Sequence, residues 1–266
     1  METKFDFEDE NIEKDIKKNA SGLFNGILIF IQSVFRFNND IDKNATINSI
    51  KNDISMRGTT AWILICSILI ASVGLNADST AVVIGAMLIS PLLGPILGLG
   101  LSISTNDIDT LKNSLANIFV MVLLSITTAY IFFALIPIDD ETSELLSRTS
   151  PDFRDVLIAF FGGLALIIAK TKKENISSAI FGVAIATALM PPLCTVGYYL
   201  AENNLTNASG AFLLFLINTL YIIVATYIVL KVLGFPLKVY ANSKRRKFVN
   251  RAVTLIAASF AVVAVL

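Results

Sequence analysis

Histidine is missing from this chain of 266 residues, and charged residues are scarce, at 16% of the total. Without histidine the chain lacks the commonest metal ligand and the usual proton shuttle. The two cysteines, Cys66 and Cys194, lie far apart inside apolar stretches and are predicted to be buried thiols. The formal net charge is +0, so no overall field attracts nucleic acid. We therefore predict no metal site, no cofactor and no nucleic-acid partner.

Long uncharged intervals dominate what remains. From 58 to 105 the only charged residue is Asp78, and 113–138 contains none. A helix needs about 20 mostly apolar residues to cross a bilayer. The sequence therefore predicts an all-α, polytopic transmembrane helical bundle. The predicted spans are Thr59–Leu75, Ser79–Ser104, Leu115–Ile136, Val156–Ala169, Ile176–Leu200 and Ala208–Leu233, with a seventh starting near Arg251.

The spans divide the chain into four regions. Residues 1–57 form a cytoplasmic or interfacial N-terminal region, in which 40–57 carries isoleucines at helical spacing and predicts a short amphipathic helix. Within it, Ser21–Phe37 is apolar but short, so it either lies in the membrane interface or forms an additional span. The other regions are a first three-helix repeat at 58–136, a second at 154–233, and the start of a seventh helix at 248–266, which we expect to be truncated.

Basic residues in the connections predict the orientation of the bundle. The connections KTKKE and KRRK are basic, whereas NADS and ENNLTN contain no lysine or arginine, and the two kinds alternate at each crossing. Basic connections stay on the cytoplasmic side. The sequence therefore predicts a multi-pass protein of the inner (plasma) membrane with a cytoplasmic N-terminus.

A shift of 97 residues aligns two segments of the chain. Val82–Gly98 then meets Ala179–Thr195, with Ser90 opposite Thr187 and Pro95 opposite Pro192. Each segment falls in the second helix of a group of three. Because an odd number of helices inverts the second copy in the membrane, the alignment predicts two inverted repeats.

Proline interrupts the second helix of each predicted repeat. Proline removes a backbone N–H and clashes with the carbonyl one turn earlier. Inside a bilayer the resulting half-helices present partial charges and free backbone groups near the midplane, where many transporters bind their solutes. The alternative is a close-packed bundle in which proline only bends a helix. The predicted substrate-binding residues are Ser90, Pro91, Gly94, Pro95, Asn117, Thr187, Pro191, Pro192, Thr195 and Asn218.

Three stretches of the chain resemble the DUF389 family, also called the uncharacterised hydrophobic domain family, of prokaryotic integral membrane proteins. They are RGTTAWILICSILIASVGLNADSTAVVIGAMLISPLLGPI, VAIATALMPPLCTVG and the pair at Asn218 and Thr219, and the likeness covers most of residues 50–235. The resemblance implies a membrane architecture and a bacterial or archaeal inner-membrane location. It implies no substrate and no catalytic residue.

Two functions fit these features. The first is a transporter or channel for a small solute or ion, sodium, a small anion or a neutral solute, between the two broken helices. The alternative is a non-transporting oligomeric scaffold or sensor that acts through its N-terminal region. No enzyme is predicted, because the buried hydroxyls have no activating base at the same depth. The expected partners are the lipid bilayer and, through glycine-rich helix faces, a second copy of the chain.

Overall fold

The computed structural model describes residues 41–136, 141–172 and 189–238, and the described residues of the bundle are helical. The predicted helix at 21–37, Thr187 and the start of a seventh helix lie outside these ranges. The helices are α1 (Lys43–Asp53), α2 (Gly58–Asn76), α3 (Thr80–Ile89), α4 (Leu93–Thr105), α5 (Ile108–Leu135), α6 (Ser143–Leu146), α7 (Phe153–Thr171), α8 (Met190–Ala201) and α9 (Leu205–Val232).

Three of the described helices are long and apolar enough to cross a membrane: α2, α5 and α9. The pair α3 and α4 passes the same test together, with a bend of 54° at residues 90–92. Helix α7 is similar in length to α2, but Arg154, Asp155 and Lys170 lie within it. The described residues therefore have the helices of a membrane protein.

Large apolar side chains cover the outside of the bundle. Trp62, Phe119 and Phe161 are 69%, 69% and 61% exposed. Soluble monomers rarely expose apolar patches of this kind. A surface of aromatic and aliphatic side chains on the long helices of the bundle is the surface that hydrocarbon would cover.

Helix α5 begins seven residues before the predicted span at Leu115. Asp107 accepts a hydrogen bond from the backbone N of Thr110 and so caps the first turn. Helix α9 begins in the same way, where Asn204 accepts from the backbone N of Asn207. Hydropathy alone places the start of α5 too late, because the cap lies in the polar segment that precedes the apolar run.

One end of the bundle is defined by Asp107. Lys51 of α1 and Lys238, which follows α9, both donate to its carboxylate, at 2.8 and 3.0 Å. The backbone N of Lys238 also donates to the carbonyl of Thr105 at the end of α4, at 2.7 Å. We call this the Asp107 end; it contains the end of α4, the start of α5 and the segment after α9.

The opposite end is defined by Asp78. Its carboxylate accepts hydrogen bonds from the hydroxyl of Ser143 and from the backbone N of Glu144, each at 2.9 Å. Thr142 donates to the carbonyl of Leu75 near the end of α2 at 2.9 Å, and Thr80, at the start of α3, donates to Glu144. Helix α3 thus begins at the Asp78 end and α4 finishes at the Asp107 end, so the bent pair runs from one end of the bundle to the other.

Helix α1 packs on the bundle. Ile50 and Ile54 are 0% and 5% exposed, and Lys170 at the end of α7 pairs with Asp53 at 2.6 Å. The sequence places this helix in the N-terminal region at 1–57, and in the structure it contacts α4 and α7. The periodic isoleucines explain this packing, because their apolar face needs a partner and α4 supplies it.

Candidate functional site

Helices α4 and α8 are short and buried. Every residue from Gly94 to Thr105 is buried, as is every residue from Met190 to Tyr199. At 1.5 Å per residue each helix is about 20 Å long, less than the hydrocarbon thickness of about 30 Å. Each therefore reaches only part of the way through the bundle.

The starts of these two helices meet inside the bundle. Ser90, Leu92 and Leu93 at the bend contact the same small void as Leu189 and Met190 at the start of α8. The void holds only about 10 Å³, close to the space that one water molecule needs. The Oγ atom of Ser90 is buried and has no hydrogen-bond partner within the described part of the chain. The bend and the start of α8 are thus adjacent around a small void, and among the described residues the Ser90 hydroxyl there has no partner.

The helices leave this meeting point in opposite directions. Helix α4 ends at the Asp107 end. Helix α8 is followed by α9, whose Gly210 lies against the backbone of Thr149, just beyond the segment bound to Asp78. Helix α8 therefore runs toward the Asp78 end.

Proline reduces the number of backbone donors at both starts. Pro191 and Pro192 occupy the first turn of α8, and Pro95 occupies the first turn of α4. Proline is tolerated there because the first N–H groups of a helix have no partner within it. The same residues remove donors that an anion would need, so the positive ends of these helices offer few N–H groups.

The remaining predicted residues lie in different surroundings. Pro91 lies in the bend itself, and a Cβ on Gly94 would overlap the backbone carbonyl of Asp53. The hydroxyl of Thr195 donates to the carbonyl of Pro191 at 3.0 Å, within α8. Asn218 is 4% exposed in the middle of α9.

Asn117 lies away from the bend, near the Asp107 end. Its amide accepts from the backbone N of Met56 at 3.4 Å and donates to the carbonyl of Asn113 at 2.8 Å. Asn117 and Asn218 are 101 positions apart rather than 97, so they occupy different depths in their helices. The structure does not bring these two asparagines to equivalent positions.

Two glycine contacts join the halves of the bundle. An ideal Cβ on Gly100 of α4 would lie 2.5 Å from Cβ of Thr226 in α9, and one on Gly197 of α8 would lie 2.5 Å from Cβ of Ala129 in α5. Gly100 and Gly197 are 97 positions apart, and so are Ala129 and Thr226. Helix α4 therefore contacts α9, and α8 contacts α5, at positions that the shift of 97 residues relates to each other.

The sequence alone did not indicate the ion pairs around Asp107. Burial alone would raise the pKa of this carboxyl, but hydrogen bonds from Lys51, Lys238 and Thr110 outweigh it and hold the pKa well below its usual range. The charged side chain thereby ties α1, the start of α5 and the segment after α9 together. An aspartate directly before a helix is a capping signal that the sequence displays. The two lysine partners are 56 and 131 positions away, so the local sequence does not indicate them.

A polar pocket of about 370 Å³ opens beside this cluster. Its lining comes from α1 and the turn after it, the first turns of α5, and the segment after α9. The lining residues are Lys51, Ile54, Ser55, Arg57, Asp107, Asp109, Thr110, Asn113, Asn117 and Lys238. Within residues 41–136, 141–172 and 189–238, no three cysteine or carboxylate side chains are grouped to hold a metal ion.

Comparison with known proteins places these features in a family. The chain is 31% identical over 197 residues to an uncharacterized protein of Methanocaldococcus jannaschii; the match covers 72% of this chain and 60% of that protein. The chain thus spans less than two thirds of that relative's length. No solved structure matches. Residues 87–224, which include the bend, α8 and most of α9, match the domain of unknown function DUF389, and the chain belongs to this family.

Proposed function

We propose that the chain is a transporter or channel for a small solute or ion, which passes between the starts of α4 and α8. The observation that carries the proposal is the meeting of these two short buried helices at Ser90 while they run in opposite directions. Discontinuous helices that meet near the bilayer midplane form the solute sites of many secondary transporters. The tight void at this point corresponds to a closed state of the passage.

We further propose that residues 58–136 and 154–233 are inverted repeats. Helices α5 and α9 each have 28 residues and start 97 positions apart, and α4 and α8 start 97 positions apart as well. Asn106 and Asn203, which follow α4 and α8, both have positive φ, 63° and 55°. The paired glycine contacts obey the same shift. In this proposal the prolines separate α3 from α4 and establish the start of α8.

The passage favours a neutral solute or a monovalent cation over an anion. Prolines deplete the N–H donors at both helix starts, whereas the last carbonyls of α3 point toward the bend as the negative end of that helix. Ser90, together with Thr187, would supply hydroxyl oxygens. Positive charge in the basic connections supports placing the Asp107 end in the cytoplasm and the chain in the inner membrane.

Replacement of the hydroxyl side chains tests the proposal. The purified protein in liposomes should pass radiolabelled sodium or a neutral metabolite from a broad panel, and Ser90→Leu or Thr187→Leu should abolish the flux. Thr127→Leu is the matched control. It also replaces a hydroxyl side chain with leucine, but at an exposed position on the outside of α5. Absence of flux across the whole panel, or equal flux in Ser90→Leu and Thr127→Leu, would contradict the proposal.

The closed void also fits the second function, an oligomeric scaffold or sensor that works through the N-terminal region. A bundle that never opens should be packed at the bend as this one is, with about 10 Å³ left. Deletion of residues 1–38 separates the two functions. It should abolish activity of a sensor in cells, and it should leave solute flux of a transporter in liposomes intact.

A further inference from the structure

The pocket at the Asp107 end has the size and the lining of a ligand site. Its volume of about 370 Å³ falls in the range of small-molecule pockets, about 300–1,000 Å³. Nearly all of its lining side chains are polar or charged, in contrast to the apolar surroundings of the bend. It lies at the end of the bundle, so it is separate from the proposed passage between α4 and α8.

The charges that line the pocket do not cancel. Lys51, Arg57 and Lys238 are three cations, and Asp107 and Asp109 are two carboxylates. Both lysines bind Asp107, and Lys238 also approaches Asp109 at 3.3 Å. The Arg57 side chain makes no ion pair or hydrogen bond with any part of the chain that the structure describes. Arg57 is therefore a cation on the pocket lining that has no partner among the described residues, and its side chain is exposed.

We propose that this pocket binds a small oxyanion, a carboxylate or a phosphate, through Arg57. A guanidinium donates two parallel hydrogen bonds to such a group, which matches its geometry. Ser55 and Asn113 add a hydroxyl and an amide on the same lining. Asn117 uses its amide on Met56 and Asn113, so it holds the wall of the pocket in place.

Two sources can supply this oxyanion. Arg57 directly precedes the membrane-length helix α2, so the pocket lies at the depth where lipid headgroups are expected. A dissolved carboxylate or phosphate would enter from the aqueous side, and the phosphate of an anionic lipid would enter from the membrane. In both cases an oxyanion binds the guanidinium of Arg57, and the experiment below distinguishes the two sources.

The test uses the full chain in detergent and inorganic phosphate or acetate as the probe. Isothermal titration calorimetry measures the binding, and the shift in the unfolding temperature on addition of the probe is an independent measurement. Arg57→Gln should weaken binding about tenfold or more, because a charge-assisted contact is lost, and Arg57→Lys should recover part of it. Lys112→Gln is the matched control: it removes one positive charge from the start of α5, and Lys112 does not line the pocket.

The lipid arm replaces the soluble probe with phosphatidylglycerol or phosphatidylcholine, and native mass spectrometry counts the lipids retained. Soluble binding that is lost in Arg57→Gln and kept in Lys112→Gln supports a dissolved ligand. Retention of phosphatidylglycerol with the same dependence supports a headgroup. Equal effects of Arg57→Gln and Lys112→Gln in folded protein, or no binding in either arm, would overturn the proposal. Ser90→Leu should leave binding unchanged, so failure of the transport proposal is measured separately.

Discussion

Replacement of Gly197 by alanine tests the contact between α8 and α5. The added Cβ would lie 2.5 Å from Cβ of Ala129 and 2.8 Å from the backbone N of Tyr130. Carbon atoms pack at about 3.5–4.0 Å, so the overlap is about 1 Å or more. The backbone nitrogen cannot rotate away from it. The two helices must therefore move apart to accommodate one methyl group.

The expected cost follows from two opposing effects. Overpacking of a close contact costs about 1–3 kcal/mol. Replacement of glycine by alanine inside a helix returns about 1 kcal/mol through helix propensity. Gly85→Ala in α3 isolates the second effect, because a Cβ there meets nothing within 4 Å. We expect Gly197→Ala to be less stable than Gly85→Ala by about 1–3 kcal/mol.

The measurement is equilibrium unfolding in detergent, followed by circular dichroism. Adding Ala129→Gly to Gly197→Ala removes the Cβ–Cβ overlap and leaves the contact with the Tyr130 nitrogen, so it should restore part of the lost stability. Gly100→Ala should show the same sign, because its Cβ would lie 2.5 Å from Cβ of Thr226. Equal stability of Gly197→Ala and Gly85→Ala would refute the packing described for α8.

Two further variants test the attachment of α1. Gly94→Ala should displace α1, since its Cβ would overlap the backbone of Asp53, and limited proteolysis should then cut near α1 faster than in Gly85→Ala. Asp107→Asn should lower stability at neutral pH by about 1.5–3 kcal/mol, because it removes the negative charge that two lysine side chains bind and replaces one of the two acceptor oxygens with an amide NH2 group. Folding lowers the pKa of Asp107, so this carboxylate stabilises the folded protein above about pH 4, and the stabilisation is lost as the pH falls toward the folded pKa. The unfolding temperature of Asp107→Asn should therefore depend less on pH, between about pH 5 and 2, than that of the unmodified protein.

Sequence patterns predicted the helical elements because those patterns are local. Uncharged intervals identified α2, α5 and α9, and the isoleucine spacing identified α1. Segments rich in proline and glycine coincide with the bend between α3 and α4 and with the start of α8. Each of these signals depends on neighbours within one or two helical turns, and a single chain displays it directly.

Contacts between distant residues could not be obtained in this way. Asp107 binds both Lys51 and Lys238, although 187 positions separate the two lysines. The residues next to them in the sequence do not indicate these partners. Similarly, glycine at 100 and 197 indicates close packing without saying which helix approaches. The 97-residue shift would have matched the two contacts once either was known, because it relates Ala129 to Thr226 as well.

Helices α5 and α9 match in length and differ in the charge of their capping residues. Asp107 and Asn204 are 97 positions apart, and each caps a helix of 28 residues by accepting from the backbone N three residues later. Only Asp107 is charged, and it binds lysines from α1 and from the segment after α9. At the Asp78 end, Ser143 and Thr142 tie the segments together by hydrogen bonds. A transporter of the proposed kind opens first at one end and then at the other. In the proposed function, opening at the Asp107 end must separate ion pairs as well as packed side chains, so the two openings would differ in energy.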